Sequence, residues 1–172
     1  MKQLIIGSLS LLLASVSVAQ PATDWKLIGG GSNTYLLYDS AGLRKLENGH
    51  FEVWLKGLPK TSVDKAKLSK DGIARAANKV ASGYQPPALA HKASVDEMVN
   101  GAFIEEVADE AMVDPNMRML IEIDCTNGLS RFLSLYTKQG GKTSTSDTTG
   151  AWEHIAPETN SSALQTALCP AK

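Results

Sequence analysis

The sequence predicts an α+β fold, with a small antiparallel β-sheet of about six strands, a helical insertion, and a C-terminal helix tethered by a disulfide bond. Two runs of alternating apolar and polar residues flank Asn127-Gly128, and this combination is the strongest short-range signal for a β-hairpin. The segment 57–116 has helical periodicity instead and few aromatic residues. Cys125 ends the first hairpin strand, and Cys169 follows the last amphipathic segment, so one bond would tie that helix to the sheet.

The N-terminus has the pattern of a secretory signal peptide, residues 1–19. Lys2 gives a positively charged start, residues 4–13 are apolar, and residues 17–19 (Ser-Val-Ala) form a small-residue cleavage site. The apolar run is too short to cross a membrane, and no later run is long enough. We therefore expect one mature domain, residues 20–172, that is exported to the periplasm, the cell surface or beyond. No cysteine follows the cleavage site, so no lipid anchor is expected.

The charge balance argues against a nucleic-acid-binding protein. Without Lys2, the mature chain has 17 − 1 = 16 basic and 18 acidic residues, a net charge of −2. Nucleic-acid-binding domains typically carry a basic patch and a positive excess. We expect a protein ligand, and the sequence leaves a homodimer open.

The two cysteines are predicted to form a disulfide bond, because an exported chain meets oxidising conditions. Closing a loop of about 45 residues stabilises a fold by ~4 kcal/mol in the chain-entropy model. A redox or metal site is disfavoured, since there is no Cys-x-x-Cys and the three histidines are scattered: His50, His91 and His154.

Counting outward from a two-residue turn at Asn127-Gly128 predicts the register of the central hairpin. Asp124 would lie opposite Arg131, and Met119 opposite Tyr136. One face of the hairpin would enter the core through its apolar residues, which are Met119, Ile121, Ile123, Cys125, Phe132 and Tyr136.

Shorter patterns predict the remaining elements. Strands are expected at 25–28, 34–39, 43–47, 50–56 and 152–155. Helix signals are a capping box from Ser94 to Glu97, Asp71 as an N-cap with Gly83 as a stop, and Thr159 or Asn160 as the cap of the last helix. Gly140-Gly141 predicts a turn that leads into a Thr/Ser-rich loop.

Charge is divided within the helical segment. Residues 56–92 contain eight Lys/Arg and two acidic residues, whereas residues 93–117 contain seven acidic residues and no basic one. The favoured interpretation is a helical hairpin whose two halves face each other and act as a removable lid on the sheet. The alternative is a free cationic binding patch, formed by Lys60, Lys65, Lys67, Lys70 and Lys79.

No catalytic constellation is visible, so we expect neither an enzyme nor a cofactor. The histidines look isolated, and Ser130 and Ser134 have no base nearby in sequence. Glu105-Glu106 has the pattern of a solvated helix face rather than of paired acid and base groups.

Several marks together resemble the surface-adhesin protein E family of exported bacterial proteins. They cover about residues 24–56 and 117–170, and comprise Trp25, Tyr38-Asp39, Val53-Trp54, Asp124-Cys125, Ser130-Arg131-Phe132-Leu133-Ser134, Tyr136, Trp152, Ile155, Pro157 and Cys169. The resemblance implies a small antiparallel sheet with a disulfide-held C-terminal helix. It also implies adhesion to host matrix or serum proteins. The alternative is a soluble periplasmic accessory protein or inhibitor.

Overall fold

The computed structural model describes residues 23–66, 70–85, 94–108 and 116–170, without the side chains of residues 65, 66, 70 and 116. The strands are β1 (Trp25–Gly30), β2 (Thr34–Asp39), β3 (Arg44–Lys45), β4 (Phe51–Pro59), β5 (Asn116–Asp124), β6 (Leu129–Gln139), β7 (Lys142–Ser146) and β8 (Glu153–His154). The helices are α1 (Lys60–Ala66), α2 (Lys70–Ala81), α3 (Val95–Val107) and α4 (Asn160–Leu168). None of the helices in these ranges is long and apolar enough to span a membrane.

The strands form one antiparallel sheet in the order β1-β2-β4-β5-β6-β7, while β3 pairs with β4 and β8 with β6. The predicted fold class is confirmed, as is the bond between Cys125 and Cys169. The Thr/Ser-rich stretch after Gly140-Gly141 was predicted to be a loop. That prediction is wrong, since the stretch forms β7.

The turn of the central hairpin contains four residues, 125–128, and not the two predicted. The Asp124 carboxylate accepts hydrogen bonds from the backbone N–H groups of Thr126 and Asn127 and from the Asn127 side chain. An aspartate that bonds the backbone ahead of it stabilises a wider turn. The predicted pair of Asp124 and Arg131 is therefore wrong.

A bulge changes the register a second time. Leu120 pairs with Ser134 while Ile121 pairs with Phe132, so Leu133 is an extra residue in β6. Beyond the bulge Met119 lies opposite Leu135, and Tyr136 lies opposite Arg118. The predicted pair of Met119 and Tyr136 is wrong, because the wider turn and the bulge both change the register, and the bulge places Tyr136 on the other face from Met119.

One face of the sheet packs against α4. Its core consists of Ile28, Tyr38, Val53, Leu55, Ile121, Ile123 and Leu164, with Met119, Cys125, Ala163, Leu168 and Cys169 around it. Thr159 caps α4 and forms a capping box with Ser162. The disulfide then joins the helix end to the hairpin turn, so local capping and a covalent link both fix α4.

The opposite face packs against the helical segment. Sheet residues Trp25, Leu37 and Leu58 join seven buried residues of the helices and their ends, namely Val63, Ala76, Ala102, Phe103, Ile104, Val107 and Ala108. Buried Lys56 donates a hydrogen bond from Nζ to the Ala108 carbonyl at the end of α3, where the helix dipole favours a cation. These contacts make the helices a second core, which argues against a removable lid.

Glu105 is the buried link between the helices and the sheet edge. Its carboxylate accepts hydrogen bonds from the Leu27 backbone N–H at 2.9 Å, the Tyr84 hydroxyl at 2.7 Å and Lys79 Nζ at 2.8 Å. Its side chain is fully buried, so the prediction of a solvated face is wrong for Glu105. Glu106 is partly exposed and lies 3.5 Å from Arg75. The expectation that the basic and acidic segments face each other is confirmed by these pairs.

The predicted helix signals are confirmed for the most part. Ser94 and Glu97 form the expected capping box of α3, and Gly83 follows α2 with a φ of 94°. Because α2 begins at Lys70, Asp71 lies in its first turn and is not its N-cap. Ile73 of α2 is half exposed.

Candidate functional site

A polar region that α1 to α4 do not cover lies at the end of the sheet that contains the central hairpin turn. Three strands or their flanks bring it together: His50 precedes β4, Glu122 lies on β5, and Arg131 lies on β6. Trp152, in the segment between β7 and β8, lies against this group. We call the partly exposed part of this region, Trp152, Arg131 and His50, the Trp152 platform.

The buried Glu122 carboxylate contacts two residues of the platform, Arg131 and His50, and fixes their positions. Its Oε2 atom accepts a hydrogen bond from Arg131 Nε at 2.8 Å and forms an ion pair with Arg131 Nη2 at 2.6 Å. Its Oε1 atom lies 2.8 Å from His50 Nδ1. The Glu122 side chain is 4% exposed and that of Arg131 30%, so a buried anion fixes a guanidinium that is open to solvent. Charge-assisted contacts with both Arg131 nitrogens give the guanidinium one orientation.

His50 is held on both sides of its ring. Besides the contact with Glu122, its Nε2 atom lies 3.4 Å from the Asp124 carboxylate. The Asn48 side chain accepts a hydrogen bond from the His50 backbone N–H. The prediction that the three histidines are isolated is therefore wrong for His50, which is partnered with residues more than 70 positions away.

The carboxylates of the site are stabilised in their charged form. Burial acts to raise the pKa of Glu122, but hydrogen bonds and charge from His50 and Arg131 outweigh it and lower the pKa. The Asn127 side-chain hydrogen bond is the main reason that the pKa of Asp124 is lowered, and backbone bonds in the turn add to it. The site therefore has fixed negative charges beneath the Arg131 guanidinium.

Trp152 is positioned by backbone and ring contacts. The Gly150 N–H donates a hydrogen bond to the Phe132 carbonyl at 2.8 Å, which brings the end of the segment 147–152 onto β6. The Arg131 guanidinium lies 4.4 Å from the Trp152 ring centroid. The His50 ring meets Trp152 edge-on, with centroids 5.3 Å apart. The indole thus rests against two side chains that are themselves fixed.

The partners of His50 and the residue types of the platform bear on the chemistry that the site offers. Both His50 nitrogens face carboxylates, so the ring is not directed at a hydroxyl or thiol nucleophile. Tryptophan and arginine are the side chains most enriched among the residues that dominate binding energy at protein interfaces. Within the described residues, no group of three His, Cys, Asp or Glu could hold a metal ion.

Of the five lysines of the predicted cationic patch, the structure describes the side chains of Lys60 and Lys79. Lys60 Nζ lies 5.2 Å from the Tyr35 ring centroid. Lys79 bonds Glu105 and lies 3.7 Å from Glu106, so its charge is matched by the acidic segment. Lys67 lies outside the described residues, as do the side chains of Lys65 and Lys70. The patch stays a prediction.

The residues of the platform carried only weak sequence signals. Arg131 and Trp152 stood out as marks of a resemblance, and His50 as a strand residue after an Asn-Gly turn. In the sequence, Glu122 is one polar residue among several in the alternating run 117–125. Its position opposite Arg131 depends on the four-residue turn, which a two-residue count misses.

Comparison with known proteins returns no match. The chain matches no family, no curated protein and no solved structure. Neither the fold nor the Trp152 platform is therefore assigned a function through a relative.

Proposed function

We propose that this protein is an exported, non-catalytic binding protein that recognises a protein partner through the Trp152 platform. The observation that carries the proposal is the stacking of Trp152 on Arg131, which is itself fixed by a buried glutamate. Large, partly exposed aromatic and arginine side chains supply most of the affinity of typical protein interfaces.

The hydrogen bonds and ion pair from buried Glu122 fix side chains of the platform before a partner binds. Ordering a flexible side chain at an interface costs about 0.5–1.5 kcal/mol, and a preorganised one avoids most of that cost. Arg131 is held by a hydrogen bond and an ion pair with Glu122, and His50 is held by Glu122 and the turn before it. The partner therefore meets side chains that already have their bound geometry.

Host matrix and serum proteins are the partners to test first, because the resemblance to the surface-adhesin protein E family implies them. Retention in the envelope as an accessory protein or inhibitor is the alternative. Fractionation of producing cells decides between the two, since an adhesin is accessible from outside and an accessory protein is released with the periplasmic contents.

The binding test uses the disulfide-bonded mature protein as bait against serum, matrix proteins and an envelope extract. Trp152→Ala should reduce capture of the partner by about thirtyfold, the effect of losing a ~2 kcal/mol anchor. Arg131→Lys should also weaken it, since lysine keeps the charge but loses the planar stacking and the fork of donors.

The matched control is His154→Ala, an exposed side chain two residues from Trp152. It should leave capture unchanged. Circular dichroism and thermal unfolding of each variant verify that the sheet persists. If Trp152→Ala and Arg131→Lys capture as much partner as the parent protein, the platform is not the recognition surface.

A further inference from the structure

The two edge strands of the sheet, β1 and β7, differ in how far other parts of the protein cover them. At β1 the Leu27 N–H is bonded by Glu105, and both α3 and α4 contact the strand. At the other end β7 is last in the strand order, and all five of its residues are exposed. An unpaired strand edge is a ready template for another extended segment.

The turn before β7 shows which of its backbone groups face outward. Gly140 and Gly141 both have positive φ, 54° and 78°, as in a type I′ hairpin turn between Gln139 and Lys142. Such a turn closes with a hydrogen-bonded pair, and bonded and non-bonded pairs then alternate. Ser144 and Ser146 therefore bond β6, while Thr143 and Thr145 direct their N–H and C=O groups to the free edge.

Two usual protections of an edge strand, a bulge and a proline, are missing from β7. Its register with β6 is continuous from Gln139↔Lys142 to Leu135↔Ser146, so no bulge twists it away. It contains no proline, and threonine favours extended backbone. Only Lys142, at its first position, carries charge.

The charged residues near β7 indicate which kind of segment would bind at its free edge. Residues 125–146 contain three basic side chains and no acidic one. Arg131 is matched by Glu122, whereas Lys138 and Lys142 are exposed and form no ion pair within the described part of the chain. The two lysines lie on either side of the turn at the start of the free edge, so a segment beside β7 is favoured if it carries carboxylates.

The edge also continues into the Trp152 platform. β7 pairs with residues 135–139 of β6, and β8, which follows Trp152 directly, pairs with Leu129 and Ser130 of the same strand. Both lie along the side of β6 that faces away from β5. A partner seated on the platform therefore has the β7 edge beside it.

We propose that the free edge of β7 binds an extended acidic segment of the partner protein by β-strand addition, with Thr143 and Thr145 supplying the backbone hydrogen bonds. This inference rests on the proposed function and adds the chemistry of the partner. Backbone bonds give the affinity in this mode, and the lysines select for charge.

The test measures amide hydrogen exchange by NMR. In the free protein, the Thr143 and Thr145 amides should exchange fast and the Ser144 and Ser146 amides slowly. An end-blocked peptide of alternating threonine and glutamate should then slow the two threonine amides at least tenfold. The same peptide with lysine in place of glutamate should not.

Two variants with a matched control locate the binding. Thr145→Pro removes one outward N–H from a position that makes no ladder bond to β6, and should weaken peptide binding about tenfold. Thr145→Val keeps the N–H and should bind as the parent does. Lys142→Glu leaves the backbone intact and should abolish the preference for glutamate.

Three results in the peptide experiment would overturn the inference. They are equal protection by the lysine peptide, protection at amides other than Thr143 and Thr145, and protection in the free protein that grows with its concentration, which would show a second copy on the edge. Trp152→Ala should leave peptide protection unchanged. If partner capture depends on Trp152 but not on Thr145→Pro or Lys142→Glu, the proposed function stands and the edge proposal fails.

Discussion

Replacing Glu105 by leucine tests whether a buried carboxylate joins the helices to the sheet edge. The change removes the acceptor of three hydrogen bonds, from Leu27, Tyr84 and Lys79. Burial, the hydrogen bond to Glu105 and its negative charge all raise the pKa of Tyr84, so the phenol remains a donor. All three donors lose their partner at once in the variant.

The expected loss of stability depends on whether each donor can find another hydrogen-bond partner. The Leu27 N–H lies in the part-buried contact between β1 and α3, and an unsatisfied buried donor costs about 1–3 kcal/mol. Lys79 is 24% exposed, so its ammonium can turn partly to water. Breaking a buried ion pair from one side typically costs about 3–5 kcal/mol. We therefore expect Glu105→Leu to lower the free energy of unfolding by ~3–5 kcal/mol.

The neighbouring residue provides the control. Glu106 is 28% exposed, and its contacts with Arg75 and Lys79 are 3.5 and 3.7 Å long. Exposed pairs of this kind contribute about 0–1 kcal/mol, so Glu106→Leu should have little effect. Urea unfolding without reductant measures both variants, and equal m-values would show that stability alone has changed.

A triple variant separates lost bonds from lost packing. Glu105→Leu combined with Lys79→Leu and Tyr84→Phe removes two donors with their acceptor, and should recover part of the lost stability. Exchange of the Leu27 amide should become faster whenever Glu105 is absent. Equal destabilisation by Glu105→Leu and Glu106→Leu would refute the reasoning.

Three further predictions concern the rest of the fold. Replacing both Cys125 and Cys169 by serine opens a link across 44 positions and should cost about 2–5 kcal/mol in urea unfolding. The pKa values of Glu122 and Asp124 are lowered in the folded protein, so the two charged carboxylates stabilise the fold at neutral pH. This stabilisation is lost as the pH falls through the pKa values of the folded protein. Unfolding experiments at a series of pH values should show the loss of stability below about pH 5. Replacing residues 60–113 by a Gly/Ser linker should abolish cooperative unfolding, because the sheet loses its second core.

Each of these has a result that would contradict it. An unchanged urea midpoint in the double serine variant would show that α4 is held by packing alone. A pH dependence that survives Glu122→Gln combined with Asp124→Asn would assign it to other groups. A deletion variant with a sharp unfolding transition would show that the helices are dispensable, as the pattern of the sequence first indicated.

Local patterns in the sequence were sufficient to predict most elements of the fold. A short run between turn residues placed β2 at Thr34–Asp39, and the Ser94–Glu97 capping box placed the start of α3. The cysteine pair was predicted from their number and the expected export. These features depend on backbone sterics, capping or covalent chemistry, which act over a few residues or through one bond.

The register and the candidate site were decided by tertiary structure. Asp124 could bond its own turn or a cross-strand arginine, and only the folded hairpin selects the turn. The bulge at Leu133 lets the β5–β6 ladder shift its register by one residue. Glu105 can be buried because three donors meet it, from β1, from α2 and from Tyr84 in the segment after α2.

His50 and Glu122 show the same limit across a wide sequence separation. They lie 72 positions apart, and their contact requires β4 and β5 to be neighbours in one register. Local propensity favours a strand at either position but contains no information about which strand lies beside it. Polar side chains become a site only when the sheet brings them together, and for this reason the sequence predicts the strands while the tertiary structure determines the platform.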